Sequence, residues 1–228
     1  MNKVSNTLLL ILSGSAITVG GTAQAADVPV ASFSYNSTTG SYTQSSATTG
    51  VFNAAAVSDG TLTTAGDFNR LLPAFQNAAF PAGFVNDANF ADIQLTVNVT
   101  VTSAVTALGV GQLTITDIDG DQFTTGLSGI WIRTQVGVNF NASMVNPTFI
   151  DNGAQDGTFN GYAGGWSTNF NTANLTGASV SLVLSTSGFF NTNYVGRPTG
   201  ISGQILPTPG TVALAMMGLA AASGRRRR

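Results

Sequence analysis

The chain has no His, no Cys and no Glu, and its single Lys is Lys3. These gaps remove most of the side chains used for proton transfer, nucleophilic attack and transition-metal ligation. A Ser–His–Asp or Cys–His catalytic arrangement is excluded, and so is a His/Cys zinc site. Without cysteine no disulfide can staple the fold, so its stability must come from packing. Charge is scarce as well: 8% of residues are charged, about a third of the usual share. Ten Asp, three Arg (Arg70, Arg133 and Arg197) and abundant Ser, Thr, Asn and Gly make up the polar inventory between residues 26 and 206. That stretch therefore carries a net charge of −7, which repels nucleic acid and anionic headgroups and argues against both as partners. An apolar content of 43% is too high, at so little charge, for a disordered chain. The 228 residues suit a single domain flanked by short segments.

The N-terminus has the order of a secretion signal. Lys3 supplies the positive start, Leu8 to Leu12 opens an apolar stretch that continues through Ile17 and Val19, and Ala23-Gln24-Ala25 has the small-x-small pattern that precedes cleavage. A signal peptide over 1–25, with Ala26 as the mature start, is the expectation. The chain is thereby assigned to export.

At the other end Pro207, Thr208, Pro209 and Gly210 lead into the apolar run Val212 to Ala222, and Arg225, Arg226, Arg227 and Arg228 close the chain. The prolines stop a preceding strand from running on. The apolar run predicts a short transmembrane helix, and the arginine cluster predicts its cytoplasmic end. At about 1.5 Å per residue such a helix falls short of a bilayer core of about 30 Å, which suits transient inner-membrane association better than a permanent anchor. The proline motif, apolar helix and arginine cluster, in that order, resemble the PEP-CTERM sorting signal of exosortase substrates. Thr208 stands where Glu stands in the usual pattern. The resemblance covers Pro207 to Arg228 and implies an exosortase-like processing enzyme as partner. It also implies a cell-surface, outer-envelope or matrix location in a Gram-negative-type bacterium, with exopolysaccharide nearby.

The intervening body reads as all-β. In Ile93 to Thr102 the residues Ile93, Leu95, Val97, Val99 and Val101 alternate with Gln94, Thr96, Asn98, Thr100 and Thr102, a period-two pattern with one buried and one wet face. Further strands are expected at Gly109 to Thr116, Gly129 to Arg133, Gln135 to Phe140 and Ser179 to Ser185. Weaker signals lie at Ala26 to Tyr35, Gly50 to Val57 and Ile201 to Leu206. Asp67 to Phe90 carries five Phe without clear alternation and reads as a helical turn or packed loop. Half-wet alternating strands predict antiparallel sheets packed as a β-sandwich or jelly roll. The organisation expected is thus a signal peptide over 1–25, a β-sandwich body over 26–204 and a sorting tail over 205–228.

Two places in the body offer chemistry. Asp117, Asp119 and Asp121 stand at alternate positions around Gly120, a spacing by which calcium loops gather oxygen ligands. The competing account is a hairpin turn. Gly161 to Trp166 sets Tyr162 and Trp166 in a Gly-rich loop, where flat aromatic faces can stack on a sugar; the competing account is core packing. A hydrolase would have to rest on Asp119 and Asp121, and no catalytic residue is assigned. The function expected is a non-enzymatic structural protein of the cell surface or exopolysaccharide matrix. A carbohydrate-binding module acting through the aromatic loop is the alternative. No cofactor is expected beyond the calcium option.

Overall fold

The computed structural model describes residues 29–59, 62–81, 84–86, 90–135, 137–151, 156–168, 175–184 and 190–207. Among these residues there are fourteen strands and no helix. They are β1 (Ala31–Gln44), β2 (Thr49–Ala55), β3 (Ala65–Arg70), β4 (Gln76–Phe80), β5 (Phe84–Asn86), β6 (Phe90–Ala91), β7 (Ile93–Val101), β8 (Thr106–Thr116), β9 (Gln122–Arg133), β10 (Val138–Ile150), β11 (Thr158–Asn160), β12 (Gly165–Ser167), β13 (Leu175–Leu184) and β14 (Tyr194–Pro207).

One antiparallel sheet of ten strands holds the molecule together. Eight of them pair in chain order (β1, β2, β7, β8, β9, β10, β13, β14), and β14 returns to pair with β1. The sheet therefore curls until its ends meet. β1 forks: its first half, Ala31 to Asn36, pairs with β3, whereas Thr39 to Gln44 pairs with β2. The β3–β4 hairpin thus extends the sheet beside the curl. The all-β, antiparallel expectation holds. The sandwich or jelly roll does not, because the pairing runs through one continuous meander instead of two sheets joined by a Greek-key return. Alternation within single strands shows which side chains go inward but not which strands become neighbours, and closure is set by a pairing between residues as far apart as Ala31 and Ile205.

The interior follows the two-residue period. In β7 Ile93, Leu95, Val97 and Val99 are buried and the residues between them exposed. Opposite them stand Ile115, Leu113, Gly111 and Gly109. Gly109 has no side chain where a Cβ would lie 2.6 Å from both the Phe140 ring and Trp131 Nε1, so the Trp131 and Phe140 rings can stack there at 4.4 Å. A second aromatic group surrounds Phe68, whose ring centroid lies 5.0 to 6.0 Å from those of Phe33, Phe123, Phe149, Phe159 and Trp166. Such edge-to-face and offset packing adds to simple area burial.

Asp67 to Phe90, expected as a helical turn or loop, contains most of β3 and all of β4 and β5. β14 runs through Pro207, and Ile205 is fully buried, so the strand extends past residue 204. The signal peptide at 1–25 and the tail from Thr208 onward, with its expected helix, lie outside the described residues. Among the described residues no helix is long and apolar enough to cross a membrane.

Candidate functional site

The three alternate aspartates sit in the turn between β8 and β9, and the structure brings them together: carboxylate oxygens of Asp117, Asp119 and Asp121 lie within 4.8 Å of one another. Asp117 is fully buried and its oxygens are engaged. Oδ1 accepts from the backbone N–H groups of Asp119, Gly120 and Asp121 at 3.1, 2.9 and 2.8 Å. Oδ2 accepts from the N–H of Asn160 at 2.8 Å. The backbone closes the same turn, Asp117 N–H donating to the Asp121 carbonyl at 2.9 Å. Gly120 takes φ +101°, a conformation that glycine adopts without steric cost. Asp117 thus organises a hairpin turn and ties it to β11, which accounts for its place in the motif without an ion.

Around it the acidity continues. The Asn160 side-chain amide donates to Asp119 at 3.3 Å and to Asp156 at 3.4 Å, and Asp119 Oδ1 is buried without a partner. Burial first, then the neighbouring Asp119, pushes the Asp117 carboxyl up to about 7, against the pull of the N–H donors. A calcium ion at 2.3–2.6 Å from its oxygens would compete with three N–H groups at Oδ1 and with one at Oδ2. The expected ligand set is gathered, and in its first member Oδ1 is taken up by the turn while Oδ2 accepts one N–H.

The aromatic loop is resolved differently. β11 and β12 form a short hairpin, and its turn docks on the outer edge of β4. Tyr162 N–H donates to the Ala79 carbonyl at 2.8 Å, and Ala79 N–H donates to Ala163 at 2.9 Å. Gly161 and Gly164 permit that approach, since a Cβ at either position would lie 2.4 or 2.2 Å from the β4 backbone. Trp166 is 1% exposed, its ring packed on Phe68, Phe149 and Phe159, and its Nε1–H donates to the Phe68 carbonyl at 2.8 Å. It cannot present a face to a sugar, so of the two accounts of this loop core packing holds for Trp166. Tyr162 remains 48% exposed, but Trp166 is core.

No family model, no curated protein and no solved structure matches the chain. Function must therefore be argued from the residues.

Sequence pattern missed one feature of the interior altogether. Asp92 is fully buried, and neither carboxylate oxygen has a hydrogen-bond partner. Burial pushes its carboxyl up to about 7. Tyr35 nearby is also fully buried with an unpartnered hydroxyl; burial, then the charges of Asp92 and Asp67, push its pKa up. Asp92 stands one residue ahead of the alternating run of β7, where a lone Asp resembles an ordinary strand flank.

Proposed function

We propose that the chain is an exported, non-enzymatic structural protein of the cell surface or exopolysaccharide matrix, released from a signal peptide over 1–25 and processed at its tail by an exosortase-like enzyme. One observation carries this function: Pro207-Thr208-Pro209, the apolar run Val212 to Ala222 and Arg225 to Arg228 follow one another directly after the last strand. In this scheme the apolar run is a short membrane helix held until the cut, and the arginines mark its cytoplasmic end.

The architecture suits that order. β14 is paired on both sides, by β13 and by β1, and ends at Pro207. A cut between Pro207 and Gly210 would leave every described strand whole, so processing need not unfold the body. A body rich in Ser, Thr and Asn with a net charge of −7 also suits a hydrated polysaccharide environment in which cationic partners are few.

Intact-mass measurement of the protein from native cells and medium tests the proposal. The expected mass corresponds to a start at Ala26 and an end between Pro207 and Gly210, with any excess reporting attached sugar or lipid. A mature protein that keeps Arg225 to Arg228 would overturn the sorting scheme.

A further inference from the structure

The outer face of β14, β1 and β3 bears a groove of about 490 Å³, within the size range of small-molecule sites, about 300–1,000 Å³. Its lining forms two polar rows that cross the strands. Ser202, Ser34 and Asp67 stand in one row, and Gln204, Ser32 and Asn69 in the other, each aligned by strand register. Neighbouring strands lie about 4.8 Å apart and same-face residues about 6.7 Å apart along a strand, so hydroxyl, amide and carboxylate groups form a fixed lattice. Asp67 Oδ1 accepts from the Asn69 side-chain amide at 2.6 Å, which orients both. The second row continues to Asn77 on β4. Two residues before Asn77, in the loop that leads into β4, Phe75 is 68% exposed.

We propose that this groove binds a neutral saccharide chain, with Phe75 as its stacking surface. Three features select that ligand class. The lining groups include a carboxylate and no cation, which disfavours polyanions. Hydroxyls and amides both donate and accept, as sugar hydroxyls do. The three strands are paired on both edges along this stretch, so no open backbone edge is offered to a peptide strand. The groove lies on the outer face of the sheet and owes nothing to Trp166. The proposal stands independently of the tail, and either can fail alone.

Affinity electrophoresis of the full protein tests it, in native gels cast with dextran, laminarin, xylan or galactomannan as neutral probes and alginate as the polyanion. At least one neutral polymer should retard the protein, and alginate should not. Phe75→Ala should weaken that retardation at least tenfold. Ser34→Trp, which fills the groove from an exposed position, should abolish it. Tyr162→Ala should leave it unchanged. Unaltered thermal midpoints would show that the variants fold. Retardation by no neutral polymer, or by alginate alone, overturns the proposal. So does retardation undiminished in Phe75→Ala or Ser34→Trp, or lost in Tyr162→Ala.

Discussion

Two buried aspartates, Asp117 in the β8–β9 turn and Asp92 just ahead of β7, are held up near the same pKa of about 7 by burial. Their surroundings are opposite. Asp117 accepts four backbone N–H groups, whereas neither oxygen of Asp92 has a hydrogen-bond partner. One carboxyl is an organiser and the other a liability. Burial by itself therefore does not show whether a polar side chain supports a fold; the hydrogen-bond inventory does.

The largest effect should follow from breaking the organiser. Asp117→Ala leaves four N–H groups without their acceptor, at about 1 to 1.5 kcal/mol each, so a loss of about 5 kcal/mol is expected in urea unfolding. Thermal unfolding should show a fall in Tm of about 10–20 °C. Asp117→Asn sharpens the point: it keeps an oxygen for the turn but sets its amide against the N–H of Asn160, at about 1–2 kcal/mol. An alanine variant as stable as the wild type would remove Asp117 from its organising role.

Asp92 supplies the opposite signature, one written in pH. Its carboxyl is raised in the folded state from 3.8 to about 7, so the folded protein keeps a proton that the unfolded chain gives up between those values. The stabilisation is fully present below about pH 4 and is lost as pH rises towards 7, at about 1.4 kcal/mol per pH unit and about 4 kcal/mol in all. The Asp117 carboxyl, also raised, acts in the same direction. Urea unfolding between pH 4 and pH 8 should therefore show greatest stability on the acid side. Asp92→Asn should flatten the curve by the share of Asp92, and Asp92→Leu should raise Tm at pH 8 by removing the orphaned group. Stability that climbs with pH across this window would break the contrast between the two residues.

What the sequence discloses follows the same division between local and distant causes. β7 is legible because four inward apolar residues alternate with polar ones over nine positions, and the turn at Asp117 is legible because three of its four donors lie within four residues. β3 and β4 are not, because each buries too few side chains to establish a period: Phe68 in β3, Ala78 and Phe80 in β4. The second half of β1 hides behind its polarity. Thr38 is buried there, its hydroxyl donating to the carbonyl of Thr199, 161 positions away, at 2.8 Å. Trp166 admits two accounts from sequence for a related reason. Its glycine-rich setting resembles an exposed loop, whereas those glycines let the hairpin close on β4 while the indole enters the core.

The smallest effect separates the two tryptophans, which repeat the aspartate contrast in neutral form. Both are buried. Trp166 Nε1–H donates to the Phe68 carbonyl, whereas Trp131 Nε1 has no partner beside the space left by Gly109. Replacing either by Phe removes similar apolar area, so the area terms nearly cancel between them. The remainder is one hydrogen bond lost against one orphaned donor removed. Trp166→Phe should therefore cost about 1–2 kcal/mol more than Trp131→Phe in paired urea unfolding experiments. If Trp131→Phe were the costlier change, ring stacking on Phe140 would outweigh hydrogen bonding in this core.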